Sequence, residues 1–178
     1  QCIHRVGDVL EWYDHDKQFP TWGFGGVTRP GGAAEHCFNL VPGGPNAMAA
    51  GVEGIMAAYM SAVQSVKLSG PTIFSQVLQA AAALSSVGMD GSQYYVLLII
   101  TDGAPEKRKA VEQLIVDASN ALENEDDLRI VFVQVGEDGG ALHWLKRMKE
   151  RLECKYDILE VITKEQLSRK GVPFAQWV

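Results

Sequence analysis

The chain has 178 residues, 47% of them apolar and 21% charged, enough for one domain with a sizeable core. Its net charge of -6 gives no broadly basic surface for a phosphate backbone, so nucleic acid is not an expected partner. No apolar run approaches the roughly 20 residues that a membrane span needs.

Val6, Val9, Leu10 and Tyr13 recur at helical spacing and predict a short first helix. Phe19 to Gly26, "FPTWGFGG", reads as a strand whose glycines allow close backbone approach. After the turn "RPGGAAE", His36 to Val41 reads as a second short strand paired with it. The stripe Val52, Ile55, Met56, Tyr59, Met60, Val63 and Val66 predicts a helix, followed by the loop "LSGPT". Phe74, Val77, Leu78, Ala81 and Leu84 predict another, ending at Gly88.

Tyr94 to Ile100 is apolar throughout, as a strand covered by helices on both faces would be. Pro105 suits the first turn of the next helix, which Val111, Leu114, Ile115, Ala118 and Leu122 continue. Leu128 to Gly136 reads as a buried strand, Leu142 to Leu152 as a helix and Tyr156 to Thr163 as a third strand. A short helix and a Pro-containing tail follow. Helices that alternate with apolar strands predict an α/β fold with a mainly parallel sheet, in one domain over residues 1–178.

Cys2, Cys37 and Cys154 are widely spaced and odd in number, which predicts no disulfide framework and a reducing, intracellular setting. No signal peptide opens the chain. Gln1 stands where a complete protein would carry Met, so a piece of something longer is expected. His4, His15, His36 and His143 match no familiar zinc spacing with Cys37. No phosphate-binding P-loop, nucleophile elbow or HExxH motif occurs. The basic runs "EKRK" and "KRMKER" read as solvated helix faces, Trp144 as a buried side chain, and Trp22 and Phe24 as packed in the sheet.

The chemistry concentrates at Asp102, in "YYVLLIITDGAP". A carboxylate at the carboxyl end of a buried strand lies where ligands bind in open α/β sheets. It could cap the following helix, act as an acid or ligate a metal. Thr72, in the loop before the Phe74 helix, is the second oxygen donor and could instead cap that helix. A hydroxyl and a carboxylate suit a hard cation, Mg²⁺ or Mn²⁺ before Ca²⁺, with a position left open for a partner's carboxylate.

Several segments together carry a family resemblance. "GPTIF" with "GSQYYVLLIITDGAP" resembles the von Willebrand factor A-type domain of copines and of the plant ubiquitin ligases that share it. "EWYDHDKQFPTWGFGG" is similar to the copine pattern D-x-D-K-x-F-P-x-x-G-F-G, "GVEGIMAAYMSAVQSVKLSGPT" to its helix ending in G-P-T, and "VPFAQWV" to its terminal V-P-F. The resemblance implies a three-layer, Rossmann-like sheet flanked by helices, with a metal-ion-dependent adhesion site at its carboxyl edge. Thr72 and Asp102 match two of the three contributions to that site. The third, an Asp-x-Ser-x-Ser loop after the first strand, occurs nowhere from Gln1 to Val178. The resemblance therefore implies a site incomplete in this chain, and a domain lacking its first, central strand at the N-terminal side. The strands at Trp22 and Val96 would then flank a vacant place in the sheet, and a chain lacking that strand should be poorly stable or borrow one.

The implied function is a non-enzymatic protein-interaction module of a calcium-dependent phospholipid-binding protein. It would recruit cytosolic proteins to a membrane that only upstream C2 domains touch. The same domain in a RING-type ubiquitin ligase would still only bind. A Mg²⁺-dependent phosphoesterase is the enzymatic alternative, for which the sequence supplies no second acid and no nucleophile beside a base.

Overall fold

A computed structural model describes residues 2–44, 47–87 and 94–168. It divides into two compact units, 1–73 and 74–178. The expected helix end at Gly88 and the V-P-F tail lie outside the described residues.

In the first unit, helix α1 (Cys2–Tyr13) and helix α2 (Gly51–Ser65) pack together. The contact is close because Gly7 has no side chain: a Cβ there would meet a Val52 methyl at 2.8 Å. Val6, Val52 and Ala58 are buried around it. The strands here are short and pair antiparallel. Strand β1 (Gln18–Pro20) pairs with β5 (Met48–Ala50), β2 (Trp22–Gly23) with β4 (Phe38–Asn39), and β3 (Gly26–Val27) with β6 (Lys67–Leu68). The single strand expected over Phe19–Gly26 is thus three pieces on three partners. Thr21 separates β1 from β2, and Gly25, at φ +67°, turns the chain before β3. The pairing expected between that stretch and His36–Val41 is present as β2 with β4. Leu68, expected in a loop, belongs to a strand.

The second unit carries the parallel sheet. Helix α3 (Ser75–Val87) is followed by β7 (Tyr95–Thr101), α4 (Arg108–Ala121), β8 (Leu128–Gln134), α5 (Gly139–Arg151), β9 (Leu159–Thr163) and α6 (Lys164–Ser168). The strands lie in the order β7-β8-β9, all parallel, with α4 and α5 as the crossovers. Central β8 is buried on both faces: Ile130, Val131, Phe132 and Val133 are at most 1% exposed. β7 differs from the expected two-sided burial. Leu97, Ile99 and Thr101 are buried, whereas Val96, Leu98 and Ile100 are half-buried, so one face of this strand is less covered than the other.

Val111 and Ile115 of α4 and Ala141, Leu145 and Met148 of α5 are buried in this unit. The Phe74 and Phe132 rings pack with centroids 5.6 Å apart. Trp144 is buried as expected; its indole N–H donates to Glu112 at 2.9 Å and the Arg108 guanidinium lies over its ring. Lys107, Lys109, Lys146 and Arg147 are exposed, as solvated helix faces require. Pro105 does not open α4, which starts at Arg108; Pro105 is buried in the preceding loop. Among the described residues, no helix is long and apolar enough to cross a membrane.

Candidate functional site at the carboxyl edge of the parallel sheet

The three strands of the second unit end in polar residues that lie side by side. Thr101 pairs in register with Gln134, and Gln134 with Thr163. All three are buried, at 4%, 3% and 7% exposure. A buried polar group needs a partner, and each finds one in the segment leaving its own strand. The Thr101 hydroxyl donates to the Gly103 carbonyl at 2.9 Å and accepts the Gly103 N–H at 3.3 Å. The Gln134 amide donates to the Gly136 carbonyl at 2.5 Å. The Thr163 hydroxyl accepts the Gln166 N–H at 3.2 Å.

Asp102 sits within the first of these closures. Its backbone turn is clamped by Thr101 while its side chain is exposed. It does not cap α4. The residue before that helix is Lys107, at φ -100° and ψ 66°, and no side chain caps the helix there. The β8 exit works differently: Asp138 does cap α5, its carboxylate accepting the Gly140 and Ala141 N–H groups at 2.8 and 3.1 Å. Asp102 is therefore a carboxylate on a hydrogen-bonded strand tip that does not cap the following helix. Burial pushes the Tyr94 phenol up, opposed by Arg129 nearby, just before the amino end of β7 rather than at this edge.

Thr72 belongs to the first unit and Asp102 to the second, and each is placed within its own unit. Thr72 is half-buried in the loop after β6. Nor is it the residue that precedes α3. Phe74 holds that position, with its carbonyl accepting the Leu78 N–H at 2.9 Å.

The chemistry of the two oxygen donors fits a hard divalent cation, but their number does not make a site. Among the described residues, no three His, Cys, Asp or Glu side chains cluster so as to hold a metal. Further oxygens would have to join Asp102. Sequence reasoning found Asp102 because it ends an apolar run. It passed over Thr101, Gln134, Thr163 and Gly136, whose signal was polar or small residues closing each strand at matching positions.

An α/β domain with parallel strands, polar strand ends and an exposed aspartate at its carboxyl edge is the class these features define. Comparison with known proteins sharpens it. The copine family model matches residues 1–174. Protein BONZAI 1 of Arabidopsis thaliana is 44% identical over 139 residues, 76% of this chain and 23% of that protein. Protein BONZAI 2 of the same plant is 42% identical over 140 residues, 76% of this chain and 22% of its own length. The chain belongs to the copine family, and it spans less than a quarter of the length of these relatives.

Proposed function

We propose that this chain serves as a von Willebrand factor A-type interaction domain, without catalytic activity of its own, in a copine-family protein. It binds protein partners at the carboxyl edge of its parallel sheet through a divalent cation, Mg²⁺ or Mn²⁺ before Ca²⁺. Asp102 supplies a carboxylate and Thr72 a hydroxyl, and an Asp-x-Ser-x-Ser segment outside this sequence supplies the remainder.

The observation that carries this reading is Asp102 itself. It is exposed at the tip of β7, clamped by the buried Thr101 and free of helix capping. An exposed, uncapping carboxylate at a strand tip supports a ligand role. That β7 is an edge strand among the described residues supports a domain with room for one more parallel strand beside it.

In a parent of this family, membrane attachment belongs to C2 domains and this domain recruits cytosolic partners to the membrane. In a parent with a RING finger, the domain recruits partners in the same way while catalysis is organised elsewhere.

The test is calorimetric titration of Mg²⁺ and Mn²⁺ into this chain and into the chain preceded by an Asp-x-Ser-x-Ser segment. Binding confined to the longer protein, and weakened at least tenfold by Asp102→Ala, is expected. Binding that survives Asp102→Ala, or none in either protein, refutes the cation site. Turnover of a small phosphate ester with Mg²⁺ would refute the non-enzymatic reading.

A further inference from the structure

The tips of β7 and β8 touch, and the residue at the contact is a glycine. The Val135 N–H donates to the Thr101 carbonyl at 2.9 Å, carrying the pairing one step beyond the last residue of β8 and bringing Gly136 beside Asp102. A Cβ on Gly136 would lie 2.7 Å from the Asp102 carbonyl oxygen, 2.9 Å from the Asp102 Cβ and 3.1 Å from its Cα. Two of these atoms are backbone and the third is fixed to it, so no side-chain rotation relieves the clash. Only a shift of one strand tip would. Gly139, three residues further on at the start of α5, has nothing within 4 Å of the corresponding position.

Both sides of the contact are tied down. Thr101 holds the Asp102 turn through Gly103, and Gln134 holds Gly136 through its carbonyl. Gln134 and Thr101 are themselves buried and in register. The position of the Asp102 carboxylate is therefore set partly from the neighbouring strand.

We infer that Gly136 is a positioning residue for Asp102: the absence of a side chain there fixes where the β7 tip presents its carboxylate. This rests on the cation-binding reading of Asp102. A ligand displaced by a fraction of an ångström no longer meets a cation such as Mg²⁺, which demands near-ideal octahedral geometry.

The experiment titrates Mn²⁺ into the full-length protein as wild type, Asp102→Ala, Gly136→Ala and Gly139→Ala, and records the Gly103 amide resonance in each. The binding component that Asp102→Ala removes is the one compared. Gly136→Ala should weaken it about 10-fold or more and shift the Gly103 resonance, while Gly139→Ala leaves both unchanged. If Gly136→Ala does not fold, Gln134→Met frees the Gly136 carbonyl without adding atoms at Asp102, and the same weakening is expected. Unchanged affinity in whichever variant folds overturns the positioning role and leaves the cation reading standing. No component lost on Asp102→Ala overturns both.

Discussion

Replacing Ser119 by alanine removes two long-range hydrogen bonds to Tyr156 at once. Ser119 is completely buried on α4. Its hydroxyl accepts the Tyr156 N–H at 2.8 Å and donates to the Tyr156 carbonyl at 3.0 Å, joining α4 to the segment that leads into β9. The two losses are unequal. The carbonyl keeps the Ile158 N–H as a partner at 3.0 Å, so the Tyr156 N–H bears most of the damage. Losing a made bond and stranding a half-buried donor amounts to about 2 kcal/mol. Two neighbouring bonds survive the substitution, from the Lys155 ammonium to the Leu122 carbonyl and from the Tyr156 hydroxyl to the Glu123 carbonyl. They keep the junction together, so the variant should fold but unfold sooner. With a urea dependence of about 2 kcal/mol per molar, the midpoint falls by roughly 1 M. Urea unfolding followed by circular dichroism measures this, with the exposed Asn120→Ala one residue along as the control. A Ser119→Ala shift no larger than that control's would refute the argument that this hydroxyl ties the two elements.

Phe132→Ala should destabilise the 74–178 unit by about 3–5 kcal/mol in the same assay, because its side chain is fully buried at the centre of β8 against Phe74. For pH, burial pushes the Cys2, Cys37 and Cys154 thiols up; at Cys154 the nearby Asp157 adds to this, and a hydrogen bond from Ser119 opposes it. A folded-state value above the unfolded one means stability that is full below the ordinary thiol range and is lost as pH rises through and beyond it. The melting temperature should therefore fall as pH is raised from 7 to 10, and fall less in Cys154→Ser.

The elements legible in the sequence are those with a long, regular pattern. The apolar runs at Tyr94–Ile100 and Leu128–Gly136 became β7 and β8, and the stripes at Val52–Val66 and Leu142–Leu152 became α2 and α5. Local periodicity decides such elements, since burial selects one face or both. The glycine-rich stretch Phe19–Gly26 was not legible, because strands of two or three residues are specified by partners far along the chain: Gly26 pairs with Leu68. Pro105 misled because a fixed φ suits the loop before a helix as well as its first turn.

At the candidate site, Asp102 stood out as a charge ending an apolar run. The devices that hold it did not. Thr101 and Gln134 read as ordinary strand residues until the register places them side by side. Gly136 read as a strand end until its distance to Asp102 is known. The polar junction at Ser119 joins residues 37 positions apart, beyond any local pattern.

The most direct test of the central claim locates the cation rather than weighing its affinity. Mn²⁺ broadens the resonances of nearby amides steeply with distance. Added in substoichiometric amounts to isotopically labelled protein carrying the Asp-x-Ser-x-Ser segment, it should first erase the amide signals of Asp102, Gly103 and Gly136. Those of Tyr95 and Leu128, about 20 Å away at the amino ends of β7 and β8, should persist. Asp102→Ala should abolish the selectivity. Broadening centred elsewhere, or unchanged in Asp102→Ala, would contradict a cation site at the carboxyl edge of this sheet.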